Sequence, residues 1–492
     1  MASVGTGIFI AFIVYFSLNI GIGFWHYRKS QTLSEYVLGD RKLNPWVVSM
    51  SAVASDMSGW MLMGLPGYAY VAGLNAYWIA IGLALGTWGN WQFIAKRLRN
   101  YTHLANDSLT VPDFYENRFR DKSKMLRIVS AIFILIFFLI YTASGFVAGG
   151  KLFNTVFGLP YFWSLIITAG VVVIYTFMGG FTAVCWTDFF QGVLMFFAVI
   201  AVPAMGLYVL GGPSVAMHEL VTNLPSHLDM FTNPDGSRIT LIAIISLLAW
   251  GLGYPGQPHI IVRFMAIRSA KEVGTATRIA MTWVFFSLSA AVAIGIVGRL
   301  LYPTLKGSAV ETIFMVMTER LFTSVFAGII LSAILAAIMS TASSQLLVTA
   351  SSIAQDFYKT VFRKDADEKE LLFVNRWTVV LVSMVSISIA SNPNNMVLDL
   401  VAYAWAGFGA AFGPLTIFSL FWRGTTRNGA MAGIIAGGCT VLLWKQFGNP
   451  ALYEIVPGFI AACIAIYVVS KLDNPPSQEV LDEFDTFSKM DN

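Results

Sequence analysis

Charged residues are scarce in this sequence: Asp, Glu, Lys and Arg make up 12% of its 492 residues, whereas about a quarter is usual for soluble proteins. Cysteine is scarce as well, since only Cys185, Cys439 and Cys463 are present and each lies in an apolar run. Their odd number and their spacing give no support to a disulfide framework or a zinc site. So few charges cannot cover a water-soluble surface, and we predict that lipid is the main solvent of this chain.

Hydrophobic residues make up 57% of the chain, and they are grouped in runs that are long enough to cross a bilayer. A membrane-spanning helix needs about 20 consecutive, mainly apolar residues. The candidate runs lie approximately at residues 6–25, 44–64, 75–95, 127–153, 162–184, 188–210, 239–260, 276–300, 323–352, 377–391, 398–421, 429–447 and 453–470. We therefore predict an all-α polytopic membrane protein with about thirteen transmembrane helices.

The distribution of Lys and Arg predicts the orientation of these helices, because basic residues collect in cytoplasmic loops. With the N-terminus outside, 25 of the 31 basic residues fall on the cytoplasmic side. The first apolar run lacks a preceding basic residue and a cleavage pattern, so we interpret it as a retained helix rather than a signal peptide. The polar residues 472–492 are predicted to form a cytoplasmic, partly disordered tail.

The soluble segments contain none of the residue constellations that enzymes need. Paired catalytic acids, a nucleophile triad, a phosphate-binding loop and a metal cluster are all missing from them. The formal net charge is only +4, and it does not indicate nucleic-acid binding. A pore-lining repeat or an appended signalling domain, expected of a channel or an ion-conducting sensor, is missing too. The sequence therefore favours a transporter.

Two of the predicted spans are interrupted by polar or helix-breaking residues. Residues 51–60 of the second span contain three serines, Asp56 and Gly59, and residues 250–259 of the seventh contain three glycines and two prolines. A spanning helix can break only where protein or a water-filled cavity satisfies the freed backbone groups. Because the interruptions are five spans apart, they predict two inverted five-helix halves with a binding site between them, as in known secondary transporters.

This arrangement divides the chain into six parts. The first inverted repeat is expected at residues 44–211 and the second at 239–422, with an extracytoplasmic loop at 212–238 between them. The flanking parts are an extra helix with a cytoplasmic loop at 1–43, two C-terminal helices at 423–471 and the tail at 472–492. The two halves show no residue-level identity, so the repeat rests on the spacing of the interruptions.

Asp56 is the most informative single residue, because an ionisable side chain inside a span is costly and usually functional. Ser55 and Ser58 beside it supply oxygen ligands of the kind that a hard cation such as Na⁺ prefers. A second group of hydroxyls, in the ninth span, includes the adjacent pair Ser340 and Thr341. The alternative interpretations are a carboxylate at a helix end and hydroxyls that only pack or bond to their own helix.

Aromatic residues near the interruptions are candidates for the wall of a small-solute pocket. They are Trp60, Tyr141, Trp250 and Tyr254. With 14 Trp, 18 Tyr and 38 Phe in the chain, many aromatic side chains must only pack or lie at the membrane interface. Nearness to an interruption is what distinguishes these four.

Several long motifs resemble the sodium/solute symporter family. They are residues 54–67 (ASDMSGWMLMGLPG), 175–181 (YTFMGGF) with 186–188 (WTD), 251–254 (GLGY) with 256–259 (GQPH), 331–337 (LSAILAA) with Ser340 and Thr341, 403–414 (YAWAGFGAAFGP) and 444–448 (WKQFG). The resemblance implies a five-plus-five inverted-repeat fold, similar to that of the leucine transporter, with one extra helix before the core and two after it. It also implies sodium-coupled symport of L-proline across the inner membrane of a bacterium. A symporter of the same fold for another amino acid, pantothenate or a sugar is the alternative.

The resemblance further implies roles for individual residues, with Na⁺ as the coupling ion. The implied sodium-binding residues are Ala54, Met57 and Ala337 through their carbonyls, Ser340 and Thr341 through their hydroxyls, and the acidic Asp56. The implied residues for L-proline are Ser58, Gly59, Trp60, Tyr141, Trp250, Tyr254 and Pro258. Arg41 and Asp188, interpreted as lying at the cytoplasmic ends of their spans, are implied to affect coupling and gating. The sequence departs from the family pattern at Pro255, where an aromatic residue is usual.

Overall fold

The computed structural model describes residues 2–27 and 33–491, and helices dominate in them. The α-helices are, in chain order, α1 (Ala2–Tyr27), α2 (Leu33–Leu38), α3 (Pro45–Asp56), α4 (Leu65–Ala72), α5 (Tyr77–Gly89), α6 (Lys96–Leu104), α7 (Val111–Phe119), α8 (Met125–Phe157), α9 (Tyr161–Met178), α10 (Phe181–Val209), α11 (Pro213–Asn223), α12 (Leu241–Leu248), α13 (Pro258–Ala266), α14 (Val273–Leu301), α15 (Ile313–Leu321), α16 (Ser324–Ser351), α17 (Lys359–Val361), α18 (Glu368–Ala390), α19 (Val397–Phe421), α20 (Arg427–Phe447), α21 (Ile455–Leu472) and α22 (Gln478–Asp491). The described residues pair as strands only at two isolated bridges, Leu43–Ile267 and Thr232–Arg238. The prediction of an all-α protein is thus confirmed.

Ten helical stretches of the described residues are long and apolar enough to cross a membrane. They are Gly5–Ile22, Trp60–Leu104, Met125–Phe157, Phe181–Val209, Ala270–Leu301, Ser324–Val361, Glu368–Ala390, Val397–Phe421, Arg427–Phe447 and Ile455–Leu472. Two shorter apolar stretches, Tyr161–Phe177 and Leu241–Gly256, lie between them in the chain. The protein is therefore a multi-pass membrane protein, whereas the count of thirteen spans stays a prediction.

Both interruptions expected from the sequence are present as breaks in helices. α3 ends at Asp56, and a π-helix, Trp60–Gly64, leads into α4. In the seventh predicted span, α12 continues into a 3₁₀-helix, Ala249–Gly256, and α13 begins only after Gln257. Each of these two predicted spans is thus built from two helical pieces that meet at the break.

The fifth and sixth predicted spans meet at a different place from the predicted one. α9 ends at Met178 and α10 begins at Phe181, so Gly179 and Gly180 separate them. The predicted spans 162–184 and 188–210 placed this boundary at residues 185–187. Asp188 lies instead inside α10, fully buried, where Arg263 neutralises its charge. The interpretation of Asp188 as a helix-end residue is therefore wrong.

Glycine residues bring the interrupted seventh span close to its neighbours. A Cβ atom on Gly86 of α5 would lie 2.4 Å from the carbonyl oxygen of Gly251, and one on Gly256 would lie 2.3 Å from that of Phe408 in α19. Any side chain at these positions would force the backbones apart. Residues 249–256 are therefore held firmly between α5 and α19.

The C-terminal tail is folded, contrary to the prediction of partial disorder. In α22 (Gln478–Asp491), the Phe487 ring is buried and stacks on Tyr101 of α6 at a centroid distance of 4.2 Å. Arg120 also forms an ion pair with Glu483. The buried apolar residues recur at the spacing of an amphipathic helix, and they are Val480, Phe484 and Phe487. The tail is short and mainly polar, so this spacing of apolar residues was not recognised in the sequence.

Candidate functional site

The break after α3 exposes backbone carbonyls to other partners. Met57 has φ −81° and ψ 68°, and the amide of Ser58 donates to the carbonyl of Asp56 at 2.9 Å, in a turn too tight for an α-helix. A Cβ atom on Gly59 would lie 2.8 Å from the Cβ of Ala148, so glycine permits α8 to approach the break. The last carbonyls of α3 lack their usual helical donors and can accept from elsewhere.

Four of the five oxygens predicted to bind sodium lie together between α3 and α16. The Ser340 hydroxyl is 2.7 Å from the Ala54 carbonyl oxygen and 3.2 Å from that of Ala337. The Thr341 hydroxyl is 3.4 Å from the same Ala54 oxygen. Met57, whose carbonyl is the fifth, is fully buried at the break. Neutral oxygen ligands that converge in this way suit a hard monovalent cation.

Asp56 is buried beside these oxygens, with 2% of its surface exposed. Its Oδ2 atom accepts a hydrogen bond from the Tyr254 hydroxyl at 2.9 Å. Its Oδ1 atom has no hydrogen-bond partner among the described residues. The Asp56 carbonyl accepts from the indole N–H of Trp60 at 3.2 Å and from the Tyr141 hydroxyl at 3.5 Å. A buried carboxylate with an unsatisfied oxygen favours the binding of a cation.

The predicted aromatic residues form a continuous wall around Asp56. The ring centroids of Trp60 and Trp250 are 6.1 Å apart. Trp405 of α19 extends this wall, since its ring lies 5.0 Å from Tyr254 in an edge-to-face arrangement and its indole N–H donates to the Trp250 carbonyl at 2.7 Å. Trp405 was not predicted as a site residue, although it lies in one of the family-like motifs (403–414).

Gly253 sets the distance between Trp405 and the 3₁₀-helix of the seventh predicted span. A Cβ atom there would lie 2.0 Å from the indole nitrogen of Trp405. We therefore expect Gly253→Ala to displace Trp405 and to destabilise the protein by about 2 kcal/mol. Gly89→Ala is the matched control, because a Cβ atom on Gly89 meets nothing within 4 Å. Thermal unfolding of both purified variants measures the difference, and equal melting temperatures would contradict this account.

Two buried amides that the sequence analysis missed support the 3₁₀-helix of the seventh span. Asn90 donates to the Tyr254 carbonyl at 3.3 Å, and Gln257 donates to the Trp405 carbonyl at 3.2 Å. Gln257 also donates to the Gly253 carbonyl at 3.3 Å, so the two amides satisfy carbonyls of the 3₁₀-helix and connect it to α19, which contains Trp405. An amide side chain in an apolar span is the sequence signal that indicates such a role.

Pro258 and Pro255 each line a separate cavity. Pro258 begins α13 and lines a cavity of about 20 Å³ together with Thr110 and Phe181. Pro255 lines a different groove, between α5 and α19, with Gly86 and other residues. Neither cavity is lined by Asp56 or by the rings of the aromatic wall.

Arg41 and Asp188, the two residues expected to affect coupling, do not contact each other. Arg41 is buried and donates to Asp107 at 2.8 Å, to the Met265 carbonyl at 2.7 Å and to the Ser108 carbonyl at 2.7 Å. It therefore connects the end of α13 to the loop after α6. These bonds hold α13, the C-terminal half of the seventh predicted span, in place.

Asp188 belongs to a separate buried network centred on Arg263, which the sequence analysis did not select. The Arg263 guanidinium lies 3.2 Å from Asp188 and also donates to the hydroxyls of Ser51, at 3.1 Å, and Ser344. Ser51 donates in turn to Asp188 at 2.7 Å. The network therefore joins α3, α10, α13 and α16. Arg263 is the one charged residue within the apolar residues 260–267. This isolated charge was the sequence signal that could have identified it.

The chain that forms this site matches the model of the sodium:solute symporter family over residues 36–437. The chain belongs to this family. The match covers both interruptions, Asp56 and the hydroxyls of α16, so the resemblance seen in the motifs is confirmed.

Two curated relatives match nearly the full chain. The "High-affinity proline transporter PutP" of Bacillus subtilis strain 168 is 50% identical over 471 residues, which cover 95% of this chain and 98% of the relative. The "Sodium/proline symporter" of Escherichia coli strain K12 is 48% identical over 488 residues, covering 98% and 96%. Both relatives are transporters, in agreement with the prediction that the chain is not an enzyme.

Solved structures of other transporters share the fold. A substrate-bound, outward-open sodium-coupled sialic acid symporter superposes with a TM-score of 0.79 at 19% identity, covering 96% of this chain and 99% of that one. Mhp1, a nucleobase-cation-symport-1 family transporter, superposes with a TM-score of 0.55 at 12% identity, covering 93% and 99%. The protein thus has the helical fold of a membrane transporter.

Proposed function

We propose that this protein carries L-proline into the cell together with Na⁺. The observation that carries this proposal is the identity of about half of all residues, over nearly the whole chain, with two bacterial proteins named as proline transporters. The site around Asp56 supports it, because it combines oxygen ligands for a cation with an aromatic wall for a small solute.

Sodium is proposed to bind between the end of α3 and α16. Its ligands are the carbonyls of Ala54, Met57 and Ala337 and the hydroxyls of Ser340 and Thr341, with Asp56 supplying the negative charge. Ser340 and Thr341 bond to the Ala54 carbonyl in the structure. When sodium binds, these hydrogen bonds break, both hydroxyls keep their protons, and their oxygens and that carbonyl oxygen coordinate the cation. The cation then joins α3 to α16 more firmly than hydrogen bonds between neutral groups do.

L-Proline is proposed to bind next to the cation, against the aromatic wall. Its pocket draws on Ser58 and Gly59 at the break and on the rings of Trp60, Tyr141, Trp250 and Tyr254, with Pro258 at the edge. The break supplies free backbone groups for the carboxylate and ammonium groups of the amino acid, and the rings cover its apolar side. If sodium raises the affinity for proline, proline must raise the affinity for sodium by the same factor.

The finer architecture follows from this mechanism. The proposal is thirteen transmembrane helices with the N-terminus outside and the C-terminus in the cytoplasm of a bacterial cell, in the inner membrane. Inverted repeats at 44–211 and 239–422 rock relative to each other and expose the site to each side in turn. Outside the two repeats, the proposal keeps an extra helix with a cytoplasmic loop at 1–43 and an extracytoplasmic loop at 212–238. It also keeps two C-terminal helices at 423–471 and the cytoplasmic tail at 472–492.

Arg41 and Asp188 are proposed to act as coupling residues on the cytoplasmic side. In the structure, Arg41 holds the C-terminal end of α13 and Asp188 holds the middle of α3 against a neighbouring element. The inner side can open only when these bonds are exchanged for others. Their role is therefore to set when the site opens inward, rather than to bind solute.

Uptake of labelled L-proline by purified protein in liposomes tests the proposal. With one sodium ion per proline, a potential near 100 mV and a tenfold sodium gradient together supply about 3.7 kcal/mol, which sustains about 500-fold accumulation. We expect accumulation with an inward sodium gradient and none with potassium, and the transport should carry net charge. Uptake of another amino acid, pantothenate or a sugar without proline uptake would keep the fold and overturn the substrate.

A further inference from the structure

Two groups of helices meet next to the C-terminal helix α22. In the first group, α6 is attached to α13, because the Arg99 guanidinium donates to the carbonyl of Ile267, the residue after α13, at 2.6 Å. In the second, α7 is attached to α19, with the hydroxyls of Tyr115 and Thr416 2.8 Å apart. α13 begins directly after the break of the seventh predicted span. We therefore expect any opening of the site that moves α13 to move α6 relative to α19 as well.

Phe487 of α22 covers the place where the two groups touch. The Arg97 guanidinium of α6 donates to the Leu420 carbonyl of α19 at 3.1 Å, and the same guanidinium lies 5.0 Å from the centroid of the Phe487 ring. The Phe487 ring also stacks on Tyr101 of α6 and is fully buried. Docking of α22 therefore places an aromatic ring over this junction, and burial of that ring stabilises the docked helix.

Ion pairs attach α22 to the second group. Asp485 accepts two hydrogen bonds from Arg423, two residues after α19, at 2.8 Å each. Arg120, directly after α7, forms ion pairs with Glu479 and Glu483. The side chains of Arg423 and Asp485 are about half exposed, and ion pairs of this kind stabilise weakly and are screened by salt. This attachment can therefore be broken and formed again without a large change in free energy.

The docked helix also leaves a buried charge poorly satisfied. The Arg118 side chain is fully buried, and its Nε atom donates to the Ser419 carbonyl at 3.1 Å. Both terminal nitrogens of its guanidinium lack hydrogen-bond partners among the described residues. The rings of Tyr101, Phe119 and Phe484 lie 5.0–5.2 Å from it, so part of its cover belongs to α22. Burial of a charge with unsatisfied donors is unfavourable, and departure of α22 would let water reach this guanidinium.

We propose that α22 is an autoinhibitory clasp that holds α6 to α7 and α19 and must detach before the inner side of the transporter can open. That this side is the inner one, and that it opens during transport, rests on the proposed function. Residues 473–477, which include Pro475 and Pro476, join α21 to α22 without helical structure, so α22 can detach while α21 stays in place. The buried aromatic contacts favour the docked state, whereas the unsatisfied Arg118 favours release.

The reactivity of a buried cysteine tests the clasp without any solute. Leu347 of α16 is buried and lines the small cavity next to α13, so Leu347→Cys reports separation of α13 from α16. In full-length protein whose native cysteines are replaced by alanine, Phe487→Ala should speed modification of this cysteine by a water-soluble thiol reagent at least about fivefold. The reason is that loss of the Phe487 ring weakens the docking of α22 and raises the population of the open state.

Met490→Ala is the matched control, since Met490 is a large apolar residue of the same helix with 59% of its surface exposed. This change should alter the rate of thiol modification by less than about twofold. If the modification rates of Phe487→Ala and Met490→Ala are equal, α22 does not hold the inner side closed and the proposal is wrong.

A reversible cross-link tests the clasp with its aromatic contacts intact. The double variant Arg423→Cys/Asp485→Cys, in protein without the native cysteines, is joined by a bifunctional thiol reagent that reduction removes. The cross-link should lower sodium-driven proline uptake into liposomes at least about tenfold, because α22 can no longer detach, and reduction should restore the uptake. Complete cross-linking without loss of uptake would overturn the proposal.

The two measurements separate failure of the clasp from failure of the proposed function, because thiol modification requires neither proline nor sodium. Faster modification in Phe487→Ala without proline uptake by any variant would support the clasp and overturn the proposed function. Proline uptake with an unchanged modification rate in Phe487→Ala would do the reverse.

Discussion

Replacement of Asp56 by asparagine is expected to abolish sodium-dependent accumulation of proline. The sodium concentration for half-maximal uptake should rise at least about 100-fold, because the amide removes the negative charge nearest to the proposed ligands. The fold should survive, since the amide oxygen of the new side chain can still accept from the Tyr254 hydroxyl as the carboxylate of Asp56 does. The variant also removes a buried charge that has an unsatisfied oxygen, so its stability without sodium should be equal or higher.

Thermal unfolding with and without sodium distinguishes these effects. Sodium should raise the melting temperature of the unchanged protein and leave that of Asp56→Asn unaltered, because only a ligand of the native state stabilises it. Asp399→Asn is the control, as Asp399 is an exposed carboxylate in the first turn of α19. Retention of sodium-dependent uptake by Asp56→Asn would place the coupling ion elsewhere.

The buried ion pair between Asp188 and Arg263 should be costly to break from one side. Either Asp188→Asn or Arg263→Gln is expected to lower the free energy of unfolding by about 3 kcal/mol, because one buried charge is left without its partner. The double variant should lose less than the sum of the two by about 2 kcal/mol, since neither charge remains. Unfolding of the three variants in detergent measures this coupling.

An exposed ion pair provides the control for this cycle. Arg268 and Glu272 contact each other at 2.5 Å near the surface, where 55% of the Arg268 side chain is exposed. The same pair of neutral substitutions there should show a coupling below about 1 kcal/mol. Equal coupling in the two cycles would mean that the Asp188–Arg263 pair is solvated and does not hold α10 to α13.

The sequence allowed the site to be predicted where the signal is local. A carboxylate within a polar run and an adjacent Ser340–Thr341 pair are unusual inside apolar spans, so both ligand groups could be selected without knowledge of the packing. Trp405 and Arg263 could not be selected in this way. Trp405 acts through Trp250, from which it is 155 residues distant, and its partner depends on which helices are neighbours.

Helix boundaries were predictable only where the polar residues are exposed or lie at a break. Asp188 was wrongly interpreted as a helix-end residue, because its charge is neutralised by a residue of another helix. The tail was wrongly predicted to be partly disordered. Its few apolar residues pack against a surface of α6, which the sequence of the tail does not indicate. In both places tertiary contacts decide the local structure, and composition does not reveal them.

The docking of α22 has a consequence for biosynthesis. Glu483 meets Arg120, a residue made 363 positions earlier, and Phe484 lies against the guanidinium of Arg118 at 5.0 Å. A nascent chain therefore inserts most of its helices while Tyr101 and Arg118 are still uncovered. Only after α22 has been synthesised can this surface be closed. Chains that terminate before α22 keep it open, which distinguishes them physically from chains that carry this helix.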